Sequence, residues 1–203
     1  MIMRSTQARK ARNGTGLVTP NRDVRVCEHN GLDLRDELSL GPFDILCHSE
    51  AFSLLKYVTL LPHGELPASD ELLLHFRNEG RSSLSGITIP MENGEAYVVY
   101  NDSHTPERTR ATLMEELFHL ELGHPPTKVR PLVERSRTYN RSIESEAYNS
   151  GAAALVPYAG LRDMLKDGEC ISEIAAHFQV SVALVEFRSK VNLLYRKFPE
   201  LMV

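Results

Sequence analysis

The chain has 203 residues, 42% hydrophobic and 25% charged, enough to bury the core of one globular domain with a small appendage. A net charge of -4 gives no general attraction for nucleic acid or an anionic membrane, and no apolar run is long enough to span a bilayer. Three widely separated cysteines, Cys27, Cys47 and Cys170, offer neither a disulfide framework nor a thiolate metal site, and fit a reducing cytoplasm.

Met1 to Thr19 is basic and rich in small polar residues, without the apolar centre of a secretory signal, so residues 1–23 read as a disordered tail. Order is expected to begin between Val24 and Leu34. Phe52 to Leu61 is apolar and β-compatible, closed by Pro62-His63-Gly64. Asp70 to Asn78 has helical spacing through Leu72, Leu73 and Phe76. Two strand-like runs follow, Leu84 to Pro90 and Ala96 to Tyr100, with the hairpin signal Glu92-Asn93-Gly94 between them. Thr105-Pro106-Glu107 reads as a helix start, with an N-cap, a first-turn proline and an acid facing the dipole. That helix should run to about Leu122 and stop at Gly123, with Pro125 and Pro126 blocking extension. Thr127 to Arg141 reads as a surface loop. A second long helix is expected from Ser142 to Val156, ended by Pro157, with Ala147, Gly151 and Ala154 making a face that permits close packing. Cys170 to Phe198 holds two more helices, striped by Ile171, Ile174, Ala175 and Phe178 and by Val182, Val185, Val191 and Leu194. Residues 24–168 thus read as the main domain. Residues 169–203 read as a helical extension packed on it through Ile174, Phe178, Val185 and Leu194, because neither stripe can form a core alone.

The chemistry concentrates in the first long helix, around Glu115-Glu116-Leu117-Phe118-His119. This is the zinc-peptidase motif HExxH with one letter changed: Glu115 stands at the first histidine. Residues four apart lie one above the other on a helix face, so Glu115 and His119 can hold one metal ion between them. Glu116 then falls where a metallopeptidase keeps the glutamate that activates the attacking water. A third ligand must come from elsewhere, and the start of the second long helix, Ile143-Glu144-Ser145-Glu146-Ala147, offers two carboxylates. A glutamate on an alanine-rich, close-packing helix is easier to explain facing a cation than facing alanines.

These blocks resemble the ImmA/IrrE-type metallopeptidases. The family pattern is an arginine-rich lead-in, T-x-A-H-E-L-G-H, a short apolar run and G-H, then E-A-x-x-F-A-A-x-L-L-x-P. Arg108 to His124, with its closing Leu122-Gly123-His124, matches the first block, and Glu146-Ala147 to Leu155-Val156-Pro157 matches the second in register. The resemblance spans roughly Leu84 to Tyr195. It departs at Glu115 and at Ser150-Gly151, which replace a histidine and a bulky Phe-Ala pair. By resemblance, the metal ligands fall on Glu115, His119 and Glu146 and the catalytic glutamate on Glu116. The implied fold is α+β and zincin-like: a small sheet beside the active-site helix, helices behind, and helix-turn-helix-like helices at the C-terminus. The implied function is that of an intracellular metal-dependent endopeptidase, a hydrolase whose relatives cleave repressor proteins in mobile elements or stress responses. Glu144 is the second choice for the third ligand, since two residues from Glu146 it should point to the other side of its helix.

Two carboxylates and one imidazole form a harder, more anionic set than His₂Glu. They should hold one divalent ion, Zn2+ or Mn2+, with less selectivity for zinc, and should leave a water less acidic. Glu116-x-x-His119 is also the ligand pair of di-iron bundles, but Glu121-x-x-His124 lies on the same helix, so that reading is set aside. His124, past the helix-ending glycine, reads as structural before it reads as a ligand, and His104 as a surface or capping residue before a substrate-polarising one. Tyr148 and Tyr139 are possible oxyanion donors. Ile171 to Val185 has helix-turn-helix character with Gln179 at the turn position that prefers glycine, and Arg188, Lys190, Arg196 and Lys197 are candidate phosphate contacts. Glu186 on the reading helix and the acidic chain argue for packing or partner binding instead. The expected partner is therefore a protein substrate or repressor, not nucleic acid and not a membrane. The alternatives are an inactive member that binds a regulator without cutting it, and a DNA-binding regulator acting through the terminal helices.

Overall fold

The computed structural model describes residues 22–66, 78, 85–125 and 141–202. The tail expected before Arg22, the helix expected over Asp70–Asn78 (its last residue aside) and nearly all of the loop expected over Thr127–Arg141 lie outside the described residues. Among those described, no helix is long and apolar enough to cross a membrane.

The chain begins with α1 (Arg22–Glu37) and α2 (His48–Ser53), then β1 (Val58–Pro62). After β2 (Gly86–Pro90) and β3 (Ala96–Tyr100) come α3 (Pro106–Glu121), α4 (Arg141–Leu155), α5 (Tyr158–Lys166), α6 (Ile171–Phe178) and α7 (Val182–Val191). Short 3-10 turns sit at His63–Glu65, Leu194–Arg196 and Pro199–Leu201. The expected strand over Phe52–Leu61 is corrected. Ala51, Phe52 and Leu55 are buried together, a helical spacing rather than an alternation, and only Val58–Pro62 is extended. The helices α1 and α5 had no counterpart in the expected elements.

The sheet has the order β1-β3-β2 among the described strands. β3 pairs parallel with β1, Val58 opposite Ala96, and antiparallel with β2, Gly86 opposite Tyr100. The hairpin turns at Gly94, whose φ of 86 is left-handed, while Asn93 Oδ1 accepts from the Glu95 N–H at 3.0 Å. Pro62 and Pro90 close the two outer strands, where a missing N–H costs no ladder bond.

α3 crosses beneath the sheet, burying Leu113, Met114, Leu117 and Phe118 in the same core as Val98. α4 is the central helix, packed on α3 along one side and on α1 along another. Gly151 makes the first contact possible, since a Cβ there would come within 3.0 Å of the Met114 carbonyl carbon. Ser150 turns instead to α1, accepting from Asn30 Nδ2 at 3.1 Å. The Ser150-Gly151 departure is therefore what lets one helix pack tightly between two.

The terminal helices are part of this core. Ile174, Phe178, Val185 and Leu194 are each 1% exposed or less and cluster with the α3 side chains. Their turn holds Gln179 at φ 54 and ψ 47, as its glycine-preferring position demands. Arg110 on α3 donates 2.9 Å to Gln179 Oε1 and 2.7 Å to the Leu46 carbonyl. Arg188 is corrected from a phosphate contact: it is 1% exposed and paired with equally buried Glu28. Its Nε donates to the Val156 carbonyl at 2.9 Å, and Glu28 Oε1 accepts from the Tyr158 N–H at 2.7 Å. One buried ion pair thus ties α1, α7 and the α4–α5 corner together.

Candidate metal centre

The approach to α3 is built by an asparagine turn. Asn101 Oδ1 accepts from the Ser103 N–H at 3.0 Å and from its hydroxyl at 2.7 Å, and Thr105 caps the helix by accepting from the Arg108 N–H at 3.4 Å. His104 in this turn, expected as a surface or capping residue, is buried, with Nε2 at 3.4 Å from Asn101 Nδ2. With the core face of α3 fixed by Leu113, Met114, Leu117 and Phe118, its flank presents Glu115, Glu116 and His119.

α4 supplies the fourth group. Its tight contact sits at Gly151, against Met114 and Glu115; two helical turns earlier, Glu144 Oε2 lies 3.4 Å from His119 Nε2. One ligand atom each from Glu115, His119 and Glu144 all lie within 4.8 Å of one another. Two ligands at first-row metal distances in a tetrahedral set are about 3.4 Å apart, so the His119–Glu144 separation already suits a shared ion. Glu116 stands beside the group and is held separately: its Oε2 accepts from the Thr88 hydroxyl on β2 at 2.7 Å.

Glu146, expected as the third ligand, is not in this group. Its side chain is 41% exposed and its Oε2 lies 3.5 Å from His124 Nε2. The reason is helical spacing: Glu144 shares the stripe of Ala147, Gly151 and Ala154 that faces α3, and Glu146 lies off that stripe. His124 is nearly buried and its Nδ1 is 3.1 Å from His119 Nδ1, so it adjoins the site. Tyr148 lies near enough for the charge of Glu115 to act on it; burial first, and then that charge, raise its pKa. Tyr139 is outside the described residues. Thr88 was missed because a lone threonine in a strand carries no signal of its partner.

The electrostatics fit a cation. Burial, then the charges of Glu116 and Glu144, push the Glu115 carboxyl up to about 7. The Glu116 carboxyl is raised mainly by burial, with the Thr88 hydroxyl opposing and Glu144 adding. His119 is lowered, chiefly by burial and also by His124, while Glu144 opposes. Such crowded carboxyls cost free energy when ionised, and a divalent ion offsets that cost directly. The donor set of two carboxylates and an imidazole is one that Zn2+ or Mn2+ accepts.

No curated protein matches the chain by sequence. The M78 peptidase family, described as the IrrE N-terminal-like domain, matches residues 65–190, more than half of the chain and including both helices that carry the cluster. With a small mixed sheet over the motif helix and helices behind it, the chain has the zincin-like α+β fold and belongs to this metallopeptidase-like family.

Proposed function

We propose that the chain is a metal-dependent endopeptidase acting on a protein regulator of the repressor type. The observation that carries this reading is the convergence of Glu115, His119 and Glu144 beside a separately anchored Glu116. Glu115, His119 and Glu144 would hold the ion, Zn2+ or Mn2+, the harder donor set favouring manganese more than a His₂Glu set does. When bound, such an ion supplies Lewis acidity toward a carbonyl and makes water more acidic.

The chain's own contribution is proton handling and placement. Glu116 is half-buried with a raised pKa, which makes its carboxylate a better base than a solvated one. The Thr88 hydroxyl bonds one carboxylate oxygen, Oε2, leaving Oε1 to take a proton from the attacking water and return it to the leaving amine. β2 is an outer strand of the described sheet and carries Thr88, so a peptide extended along it would lie beside Glu116.

A second reading, a family member that binds a regulator without cutting it, is favoured by one observation: Glu115 at the first ligand position is hard to ionise. Cleavage separates the two. With Zn2+ or Mn2+ supplied, the parent should cleave a repressor-type protein substrate, and Glu116→Gln should lower the rate by about 10²–10⁴-fold, the contribution of a general base. Binding without cleavage in the parent, or equal cleavage by Glu116→Gln, would overturn the peptidase reading.

A further inference from the structure

The match of Glu146 to the family's second block and its absence from the ligand cluster ask what else it does. At the end of α3, Gly123 takes a φ of 65 and folds the chain back, so that the His124 N–H donates to the His119 carbonyl at 2.9 Å. The two rings then meet edge to face, with centroids 5.0 Å apart. Glu144, His119, His124 and Glu146 form a single line. Glu144 Oε2 is 3.4 Å from His119 Nε2, the two Nδ1 atoms are 3.1 Å apart, and His124 Nε2 is 3.5 Å from Glu146 Oε2.

We propose that His124 and Glu146 are positioning residues that fix the ring orientation and tautomer of His119, so that its Nε2 lone pair faces the metal. The inference rests on reading Glu115, His119 and Glu144 as the metal site. A metal on Nε2 leaves the ring proton of His119 on Nδ1, where it needs an acceptor. Only His124 Nδ1 stands at that place among the described contacts, and it accepts only when His124 carries its own proton on Nε2. A carboxylate facing that Nε2 selects this tautomer, and Glu146 is the carboxylate there. The arrangement is a carboxylate–histidine–histidine line in place of the usual carboxylate partner of a metal-binding histidine. It gives Glu146 a role that needs no direct contact with the ion, and it explains a nearly buried histidine just beyond a helix-ending glycine.

The test uses the full chain loaded with zinc, read by competition with a chromophoric chelator and by long-range proton–nitrogen NMR of the imidazoles. The parent should show His119 protonated on Nδ1 and His124 on Nε2. His124→Phe keeps the ring contact and removes the acceptor; Glu146→Leu removes the carboxylate. Each should weaken zinc binding by about 10–100-fold, while Glu146→Gln, whose amide oxygen still accepts, should stay within about threefold of the parent. Parent-like affinity in both His124→Phe and Glu146→Leu, or His124 protonated on Nδ1, would overturn the proposal and leave the metal site standing. Equal, severe loss in Glu146→Gln and Glu146→Leu would overturn it in favour of Glu146 as a direct ligand. A folded parent that binds no zinc would remove the metal site and the relay together.

Discussion

Glu115 decides how the site behaves, because it replaces an imidazole, neutral when it ligates, with a group that must ionise in a crowded acidic corner. Replacing it with histidine should retain metal binding and shift preference toward zinc, as a softer, less anionic donor set does; paired zinc and manganese titrations check this. The same residue predicts a pH effect in metal-free protein. A carboxyl pushed up to about 7 in the folded chain contributes stability that is fully present below its ordinary range and is lost as pH rises through 7. His119 is shifted the other way, so its own loss comes as pH falls below its ordinary value near 6.5, opposite in sign to that of the carboxyl, and a change confined to Glu115 separates the two. Metal-free Glu115→Gln should therefore melt at a higher temperature than the metal-free parent at pH 8, with the gap closing toward pH 5. A gap that is absent at pH 8 would mean that Glu115 is not strained by its neighbours.

Between the elements, α4 carries the most information, and the sequence disclosed only part of it. The N-cap, first-turn proline and terminal glycine of α3 were readable because capping is local chemistry. Glu115, Glu116 and His119 were readable because spacing along one helix is local too. Which carboxylate of α4 meets them depends on how α4 is rotated against α3. The packing stripe Ala147, Gly151 and Ala154 already held that answer, for Glu144 lies three residues before Ala147 on the same face. The motif alignment pointed to Glu146 instead, and the helix count measured from Glu146 then turned Glu144 away. α1 was not foreseen because its buried side mixes Cys27 and Leu34 with the charged Glu28 and Arg35, and the Tyr158 N–H and Ala154 carbonyl that these two meet lie far along the chain. That burial is testable. Arg188→Met leaves Glu28 buried without its counter-charge and should cost about 3–5 kcal/mol in urea unfolding, whereas the double change with Glu28→Leu should cost much less. Equal losses in the single and double variants would show that packing, not charge pairing, holds α1 to α7.

Across the whole molecule, the helix-turn-helix-like ending and the part that carries the candidate metal cluster share one core, so the terminal helices act first as a buttress. The buried Ile174, Phe178 and Leu113 sit in one cluster, and Arg110 on the motif helix reaches the Gln179 turn. Their amphipathic stripes made that packing legible, while the burial of Arg188 was not, since an arginine on the second helix of such a pair looks the same in sequence whether it meets a phosphate or Glu28. Among the described residues, an acidic corner forms where α4 crosses α3 beneath the sheet, and everything proposed for it depends on a cation being held there by those two helices. Metal affinity of the purified full chain for zinc and manganese, measured beside Glu115→Ala, His119→Ala and Glu144→Ala, tests this most directly. The parent should bind one ion per chain, and each variant should bind at least about tenfold more weakly. A parent that binds no ion, or a Glu144→Ala protein that binds as tightly as the parent, would contradict it.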